Sequence, residues 1–231
     1  MVSTDRRADV NWTVWEKAME DQRHTSKRKL LEAALRVIRE RGYSATRVED
    51  VCAAAGVTKG SFFHHFDSKE KLALEAAAYW DERTSGLFRG AEYHERTTAR
   101  ERLLAYVEMR KALLKGELPE FTCLVGTMVQ EVYATEPAIR EACARAIVGH
   151  AMTLEADVAE AMRDAGIHAG WSAASLALHT QAVIQGAFIL AKAKGQAEAA
   201  AESIDHLKQY LELLFPEATT KTKAKSRNRA A

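Results

Sequence analysis

The feature that most constrains this chain is a pair of short helical patterns on either side of Gly56. Before this glycine, apolar residues recur at i, i+3, i+4 and i+7, which predicts a helix with one buried face. These apolar positions are Val48, Val51, Cys52 and Ala55. Gly56 is placed to end the helix in the left-handed conformation that favours glycine. The segment therefore predicts a helix-turn-helix unit.

The sequence also predicts where both short helices begin. Thr46 is followed three residues later by Glu49, the spacing of a capping box, in which both side chains accept hydrogen bonds from backbone N–H groups at a helix start. We therefore expect the first of the two helices to begin at Arg47. Thr58 is expected to cap the second one.

The second short helix is predicted to expose polar, basic and aromatic side chains. Phe62 and Phe66, one turn apart, are expected to form its buried ridge. Because successive residues turn by about 100° around a helix, the others face away from this ridge or flank it. They are Lys59, Gly60, Ser61, Phe63, His64 and His65. Such a face suits a DNA major groove, and Gly60 has no side chain to keep backbone donors from a phosphate.

Helices are predicted on both sides of this unit. The run from Ser26 to Arg41 has apolar residues at helical spacing and is followed by Gly42, a stop signal. Ser68 is placed to cap a fourth helix. Lys69 lies in the first turn of that helix, where a cation is unfavourable for the helix dipole. We interpret Lys69 as a contact to an external phosphate of DNA.

The run from Ser26 to Lys71 resembles the DNA-binding domain of TetR/AcrR-type bacterial transcriptional regulators. The likeness lies in a helix ending at glycine, a Thr-led second helix, and an aromatic-rich third helix followed by lysine. Phe63 stands where the family usually has tyrosine, so van der Waals contact would replace a hydrogen bond to phosphate. The resemblance implies DNA contacts from Arg47, Lys59, Gly60, Ser61, Phe63, His64, His65 and Lys69.

The rest of the chain predicts an all-α protein, in which a helical ligand-binding and dimerisation domain follows the helix-turn-helix domain. Three prolines are present among 231 residues, and strand-like alternation is not sustained anywhere. The net charge is +1, but residues 22–71 hold 11 basic and 6 acidic residues, whereas residues 72–216 hold 14 and 20. Positive charge is therefore concentrated around the predicted DNA-binding helix.

We expect four segments: an N-terminal extension (1–24), the DNA-binding domain (25–71), the ligand-binding and dimerisation domain (72–216) and a basic disordered tail (217–231). Within the third segment the predicted helices are 72–88, 98–115, 121–134, 137–165, 172–194 and 197–215. The extension could form a short helix that packs through Trp12 and Trp15, or a disordered arm whose Arg6 and Arg7 touch DNA. We favour the arm.

The last two predicted helices indicate a homodimer, because their apolar residues follow a spacing suited to a four-helix interface. These residues are Leu176, Val183, Ala187, Leu190, Ile204, Leu207, Leu211 and Leu214. The alternative is that both stripes pack on the chain's own core. The family resemblance favours the dimer. Its two DNA-binding helices would enter successive major grooves about 34–36 Å apart, so the operator should be an imperfect palindrome.

The middle of the chain is expected to hold a pocket for a small-molecule effector that releases the repressor from DNA. Candidate pocket residues are Tyr106, Met109, Phe121, Cys123, Met128, Met152, Trp171, Gln181 and Phe188. Any of these at helical spacing is more commonly plain core. An alternative function is a repressor that senses electrophiles or oxidants through Cys123, which follows Pro119 near a predicted helix start.

Several classes of function are not favoured. The chain has no Gly-rich phosphate loop, zinc-ligand spacing or nucleophile elbow, so we expect no enzyme, metal site or cofactor. No long uncharged segment or export signal is evident, so we expect a cytoplasmic protein without a membrane partner.

Overall fold

The computed structural model describes residues 25–217, and every regular element in that range is a helix. The helices are α1 (25–41), α2 (Val48–Ala55), α3 (Lys59–His65), α4 (Lys69–Arg89), α5 (Ala99–Ala112), α6 (Leu118–Phe121), α7 (Leu124–Val132), α8 (Pro137–Met152), α9 (Glu155–Asp164), α10 (Ala173–Lys194) and α11 (Glu198–Leu214), with a 3₁₀ turn at Glu92–Glu95. The all-α prediction is confirmed. The predictions for the N-terminal extension and the basic tail lie outside the described residues.

The predicted turn between α2 and α3 is present. Gly56 has φ 64°, the left-handed conformation expected of a C-cap. The Thr58 hydroxyl accepts a hydrogen bond from the Ser61 N–H at 3.2 Å and so caps α3. Phe62 and Phe66 are 0% and 1% exposed and form the buried ridge of α3. Local spacing therefore determined this unit correctly.

The predicted capping box at Thr46 is wrong by one residue. Arg47 is the N-cap of α2, and its N–H donates to the Asp50 carboxylate at 3.0 Å. Thr46 is buried, and its hydroxyl donates instead to the Gly42 carbonyl at 2.6 Å. Because the end of α1 uses this hydroxyl, the cap of α2 passes to the next residue pair.

One predicted helix is divided in two and another is shortened at its start. The run 137–165 breaks after Met152, where the Thr153 hydroxyl donates to the His150 carbonyl at 2.7 Å and competes with the backbone ladder. Leu154 then turns into the core, 2% exposed. The run 121–134 becomes α7, which begins only at Leu124, because the Thr122 hydroxyl donates to the Leu118 carbonyl at 2.8 Å at the end of the short helix α6. In both places a threonine hydroxyl takes part in ending a helix.

Two apolar cores hold the fold together. The first joins α1–α4 to the inner faces of α7 and α8, where Leu124, Met128 and Ile139 are each 0% exposed. The second lies among α5, α9, α10 and α11. The helix-turn-helix unit therefore shares its core with two helices of the second domain, and α4 crosses the predicted boundary at residue 71.

By length and composition alone, α10 could cross a membrane. In this fold α10 packs against α8, α9 and α11. Its inward residues belong to the second core, with Ala177, Ile184 and Ala191 each 0% exposed. The apolar composition of α10 is therefore explained by its place as a core helix.

The loop after α1 is attached directly to α7. The Glu131 carboxylate accepts hydrogen bonds from the backbone N–H groups of Tyr43 at 2.9 Å and Ser44 at 2.8 Å. Gly42 precedes them with φ +89°, and a Cβ there would lie 2.5 Å from the Glu131 Oε1 atom. Both the backbone conformation and the close approach of the carboxylate therefore require glycine at this position.

Candidate functional site

α3 presents its predicted face outward. Lys59, Gly60 and His64 are exposed, the Phe63 ring is 52% exposed, and Ser61 is half-buried. A Cβ on Gly60 would meet a single neighbour, the Thr58 hydroxyl oxygen, at 3.8 Å. The fold itself therefore does not require glycine at residue 60. An unfilled surface at the start of a helix is what a close approach to a phosphate needs.

His65 differs from the rest of the predicted DNA-contacting set. Its Nε2 atom lies 2.7 Å from the Ser26 hydroxyl, so the half-buried ring is held between α3 and the start of α1. This contact connects α3 to the first turn of α1. Two other members of the set make surface ion pairs with acids of α2, Arg47 with Asp50 and Lys59 with Glu49.

Lys69 does not reach outward as the sequence predicted. Its ammonium group donates to the backbone carbonyls of Tyr43 at 3.2 Å, Ser44 at 3.4 Å and Thr46 at 3.1 Å. It also lies 4.4 Å from the centroid of the Tyr43 ring. A lysine has three N–H donors, and all three are used here. The cation that seemed misplaced at a helix start therefore satisfies the carbonyls of the α1–α2 loop.

A cavity of about 590 Å³ lies between α1, α4, α5, α7, α8 and α10. Four of the nine predicted pocket residues line it: Phe121, Cys123, Gln181 and Phe188. The other five lie in the surrounding cores, where Tyr106 and Met128 are almost fully buried and Met109, Met152 and Trp171 are partly buried. α4 supplies five lining residues, Trp80, Arg83, Thr84, Leu87 and Phe88, and α1 supplies Leu35 and Arg39.

Sequence reasoning missed the basic residues of this cavity. Arg39, Arg83 and Arg110 line it, with His150 and Gln185. Arg110 follows Tyr106 by one helical turn on the buried side of α5. A charged residue at a position that the helical spacing predicts to be buried is unusual, and this could have identified Arg110 from the sequence. Arg39 donates to the backbone carbonyls of Glu120 and Thr122, and burial lowers its pKa to about 10.

The three cysteines are in different surroundings. Burial raises the pKa of Cys143 to about 12 and also raises that of Cys52, so both thiols are poor nucleophiles. Cys123 lines the cavity as the N-cap of α7, where its Sγ atom accepts from the Gly126 N–H at 3.3 Å. Within residues 25–217 no cluster of three metal-ligating side chains occurs.

Most of the eight apolar residues predicted to form the dimer interface belong instead to the second core of the chain itself. Five of its eight residues are at most 4% exposed: Leu176, Ala187, Ile204, Leu207 and Leu211. Val183 and Leu214 are half-buried, and Leu190 is 48% exposed. The exposed apolar face of α10 and α11 consists of Leu178, Ile189, Leu190, Tyr210 and Leu213. We therefore correct the candidate partner surface to this exposed face.

Two family models match the chain over most of the two domains described above. "Bacterial regulatory proteins, tetR family" matches residues 30–76, which run from α1 into α4. "Tetracyclin repressor-like, C-terminal domain" matches residues 99–207, which run from α5 into α11. The chain belongs to the TetR family of transcriptional regulators.

Relatives within the TetR family divide between short and long matches. The regulator CymR of Pseudomonas putida is 49% identical over 59 residues, which are 26% of this chain and 27% of CymR. The regulator AcuR of Cereibacter sphaeroides is 29% identical over 136 residues, 59% of this chain and 60% of AcuR. The chain therefore spans about a quarter of CymR and less than two thirds of AcuR, and high identity is confined to the shorter match.

Solved structures of transcriptional regulators share the fold over about four-fifths of this chain. A regulator from Agrobacterium tumefaciens superposes with a TM-score of 0.72 at 17% identity, covering 81% of this chain and 98% of that one. A regulator from Saccharomonospora viridis in complex with choline is 28% identical, with a TM-score of 0.64 and coverage of 81% and 94%. TetR-family regulators bind DNA and effector ligands, typically act as dimers, and are not enzymes.

Lys69→Met should lower the free energy of unfolding by about 1–3 kcal/mol, because three loop carbonyls lose a charged donor. The matched control is Lys71→Met in the same helical turn, where the side chain is 53% exposed and pairs weakly with Glu75 at 3.7 Å. That control should change stability by less than about 0.5 kcal/mol. Urea unfolding measures both. Equal small losses would restore Lys69 to the phosphate role predicted from the sequence.

Proposed function

We propose that this TetR-family protein is a repressor that binds a palindromic operator as a dimer and is released from DNA by a small-molecule effector. The observation that carries this proposal is the shared wall of the cavity. Leu35 and Arg39 of α1 line it together with five residues of α4, and both helices belong to the core of the helix-turn-helix unit. A ligand in the cavity would therefore press on the elements that orient α3.

The proposed release follows from this geometry. An occupied cavity displaces α4 relative to α7 and α8, and the attachments of α1 through Arg39 and of the α1–α2 loop through Glu131 carry the shift to α3. In a dimer this changes the distance between the two DNA-binding helices. An effector needs a difference of about 5.5 kcal/mol in affinity between the two states to switch the population almost completely.

In the proposed complex α3 lies in the major groove. His64, Ser61 and Phe63 contact base edges, whereas Lys59, Arg47 and the backbone at Gly60 contact phosphates. Because His65 and Lys69 make contacts within the fold, both act by positioning α3. Because the proposed partner is DNA, which bacteria keep in the cytoplasm, we infer that the protein is cytoplasmic.

His64→Ala should weaken binding to the preferred DNA by about tenfold or more, since it removes a base contact, and should change binding to scrambled DNA little. The preferred duplex is first selected from a random pool with the wild-type protein, and we expect an imperfect palindrome. Tyr133→Ala is the control, because that ring is also exposed, 61%, but lies beyond α7. Equal losses on both duplexes, or a selected sequence without twofold symmetry, would contradict the proposed recognition.

The proposed dimer uses the exposed face of α10 and α11. Tyr210 lies 5.6 Å from His179, so the exposed residues of the two helices adjoin. Leu213 is the most exposed large apolar residue of this face at 83%. Exposure of that extent in a single chain favours a covering partner.

Leu213→Glu should convert a dimer into a monomer, because it places a charge in the apolar interface while leaving the monomer core untouched. Val148→Glu is the control, since Val148 is also exposed, 44%, but lies on α8 away from this face. Sedimentation velocity measures both variants. A dimer that persists in Leu213→Glu, or dissociates equally in Val148→Glu, would exclude this interface.

A second candidate function is a repressor that responds to electrophiles at Cys123. The thiol lines the cavity at the start of α7, and Arg39 and Lys192 are close enough for their charges to interact with it. The two other described thiols are buried.

Under this second function, N-ethylmaleimide should release the wild-type protein from its operator and leave Cys123→Ser bound. Cys143→Ser, in which Cys123 is intact, should still be released. Retained operator binding by alkylated wild-type protein would dismiss the thiol switch while leaving reversible ligand control untouched.

A further inference from the structure

The cavity contains a buried cation without an acidic partner. Arg110 is 8% exposed, and no carboxylate of residues 25–217 forms an ion pair with it. The guanidinium carbon lies 5.2 Å from the ring centroid of Phe88, 5.9 Å from that of Tyr106 and 5.7 Å from that of Phe188. These rings stabilise the charge partly, but an aromatic face does not supply the lone pairs that guanidinium N–H groups require.

The groups around Arg110 offer more hydrogen-bond donors than acceptors. Arg110 Nη1 lies 3.2 Å and the Tyr106 hydroxyl 2.9 Å from the same atom, His150 Nε2. A guanidinium only donates, so Nε2 must be the acceptor, and it has one lone pair for two donors. Burial, with the charge of Arg110, lowers the pKa of His150 to about 4, which keeps the ring neutral at pH 7. The Tyr106 hydroxyl oxygen also accepts from Arg110 Nη1 at 3.4 Å, so among the described residues the hydrogen bonds of Arg110 all come from Nη1, and its Nε and Nη2 groups have no acceptor.

The rest of the cavity lining also holds more cations than acids. Arg39 and Arg83 also line it, whereas Glu120 is the single acid among the lining residues. Gln181 lines the cavity at 6% exposed, and its Oε1 atom has no hydrogen-bond partner. One turn later, the Nε2 atom of Gln185 is likewise unpartnered.

We propose that the effector is a monocarboxylic acid with an apolar hydrocarbon body, whose carboxylate binds the guanidinium group of Arg110, which the Tyr106 hydroxyl positions by a hydrogen bond. This inference rests on the proposed function, because it names the chemical class of the effector. A carboxylate has two oxygens that accept about four hydrogen bonds and match a guanidinium in bidentate geometry. The hydrocarbon body lies against Phe121, Val125 and Ile147 on the apolar side of the cavity.

The same charges select against a cationic ligand. The S. viridis regulator binds choline, a quaternary ammonium ion. In this chain a cationic ligand would lie among the guanidinium groups of Arg39, Arg83 and Arg110, and Glu120 is the one acidic lining residue. Two proteins with the same fold are thus expected to bind ligands of opposite charge.

The test uses two probe series in which the hydrocarbon is constant and the head group varies. One is hexanoate, hexanamide and hexylammonium, and the other is 3-phenylpropanoate, 3-phenylpropanamide and 3-phenylpropylammonium. Isothermal titration of the full-length protein should give, for at least one carboxylate, a dissociation constant of about 1 mM or tighter. Its amide should bind at least tenfold more weakly and its ammonium ion not measurably. Absence of binding by both carboxylates, or equal binding of acid and amide, overturns the proposal.

Variants at Arg110 and Tyr106 test whether the carboxylate binds at these residues. Arg110→Gln should weaken the carboxylate at least tenfold and leave the amide unchanged, whereas Arg140→Gln, an exposed arginine of α8, should change neither. Because Arg110 is buried, Arg110→Gln could misfold, so Tyr106→Phe provides an independent test that preserves the ring packing. It should weaken the carboxylate several-fold and leave the amide unchanged. Unaltered carboxylate affinity in Tyr106→Phe and in folded Arg110→Gln overturns the assignment.

Operator release separates this inference from the proposed function. If the carboxylate binds in an Arg110-dependent way but leaves the DNA complex intact, the binding site stands and effector control by this class fails. If a neutral molecule releases the operator while no carboxylate binds, effector control stands and the carboxylate assignment fails.

Discussion

The hydrogen bonds from the Tyr43 and Ser44 backbone to the Glu131 carboxylate connect the two halves of this molecule, and the mechanism proposed for it depends on them. The donors follow directly on α1 and precede α2, so they belong to the helix-turn-helix unit. The acceptor belongs to α7, which borders the cavity. Arg39 adds a second attachment from α1 to the carbonyls of Glu120 and Thr122. A displacement at the cavity therefore has a short path to α3.

The shared core makes this connection stiff. Residues of α7 and α8 complete the apolar interior of the DNA-binding unit, so the two domains cannot move apart without exposing buried side chains. What can change is the position of α4, which lines the cavity along one side and carries Lys69 at its start. Lys69 in turn holds three carbonyls of the α1–α2 loop. An effector that shifts α4 would thus alter the loop from which α2 and α3 are oriented.

The cavity combines apolar walls with cationic hydrogen-bond donors. Its walls are largely apolar, yet Arg110 offers more donors than the His150 ring and the Tyr106 hydroxyl accept. A ligand that supplies the acceptors is therefore bound with preference for the conformation in which this cluster is assembled, which is the requirement for switching.

The sequence by itself determined α2 to within one residue, the turn at Gly56 and the exposed face of α3, because apolar periodicity acts between residues within one or two turns. It also identified four cavity residues by type. The tertiary structure decided what depends on distant partners: Lys69 turned toward the α1–α2 loop, the dimer stripe became core, and Arg110 met His150 from another helix. A side chain's spacing predicts which face it occupies, but the groups that approach that face come from remote parts of the chain, and only packing brings them together.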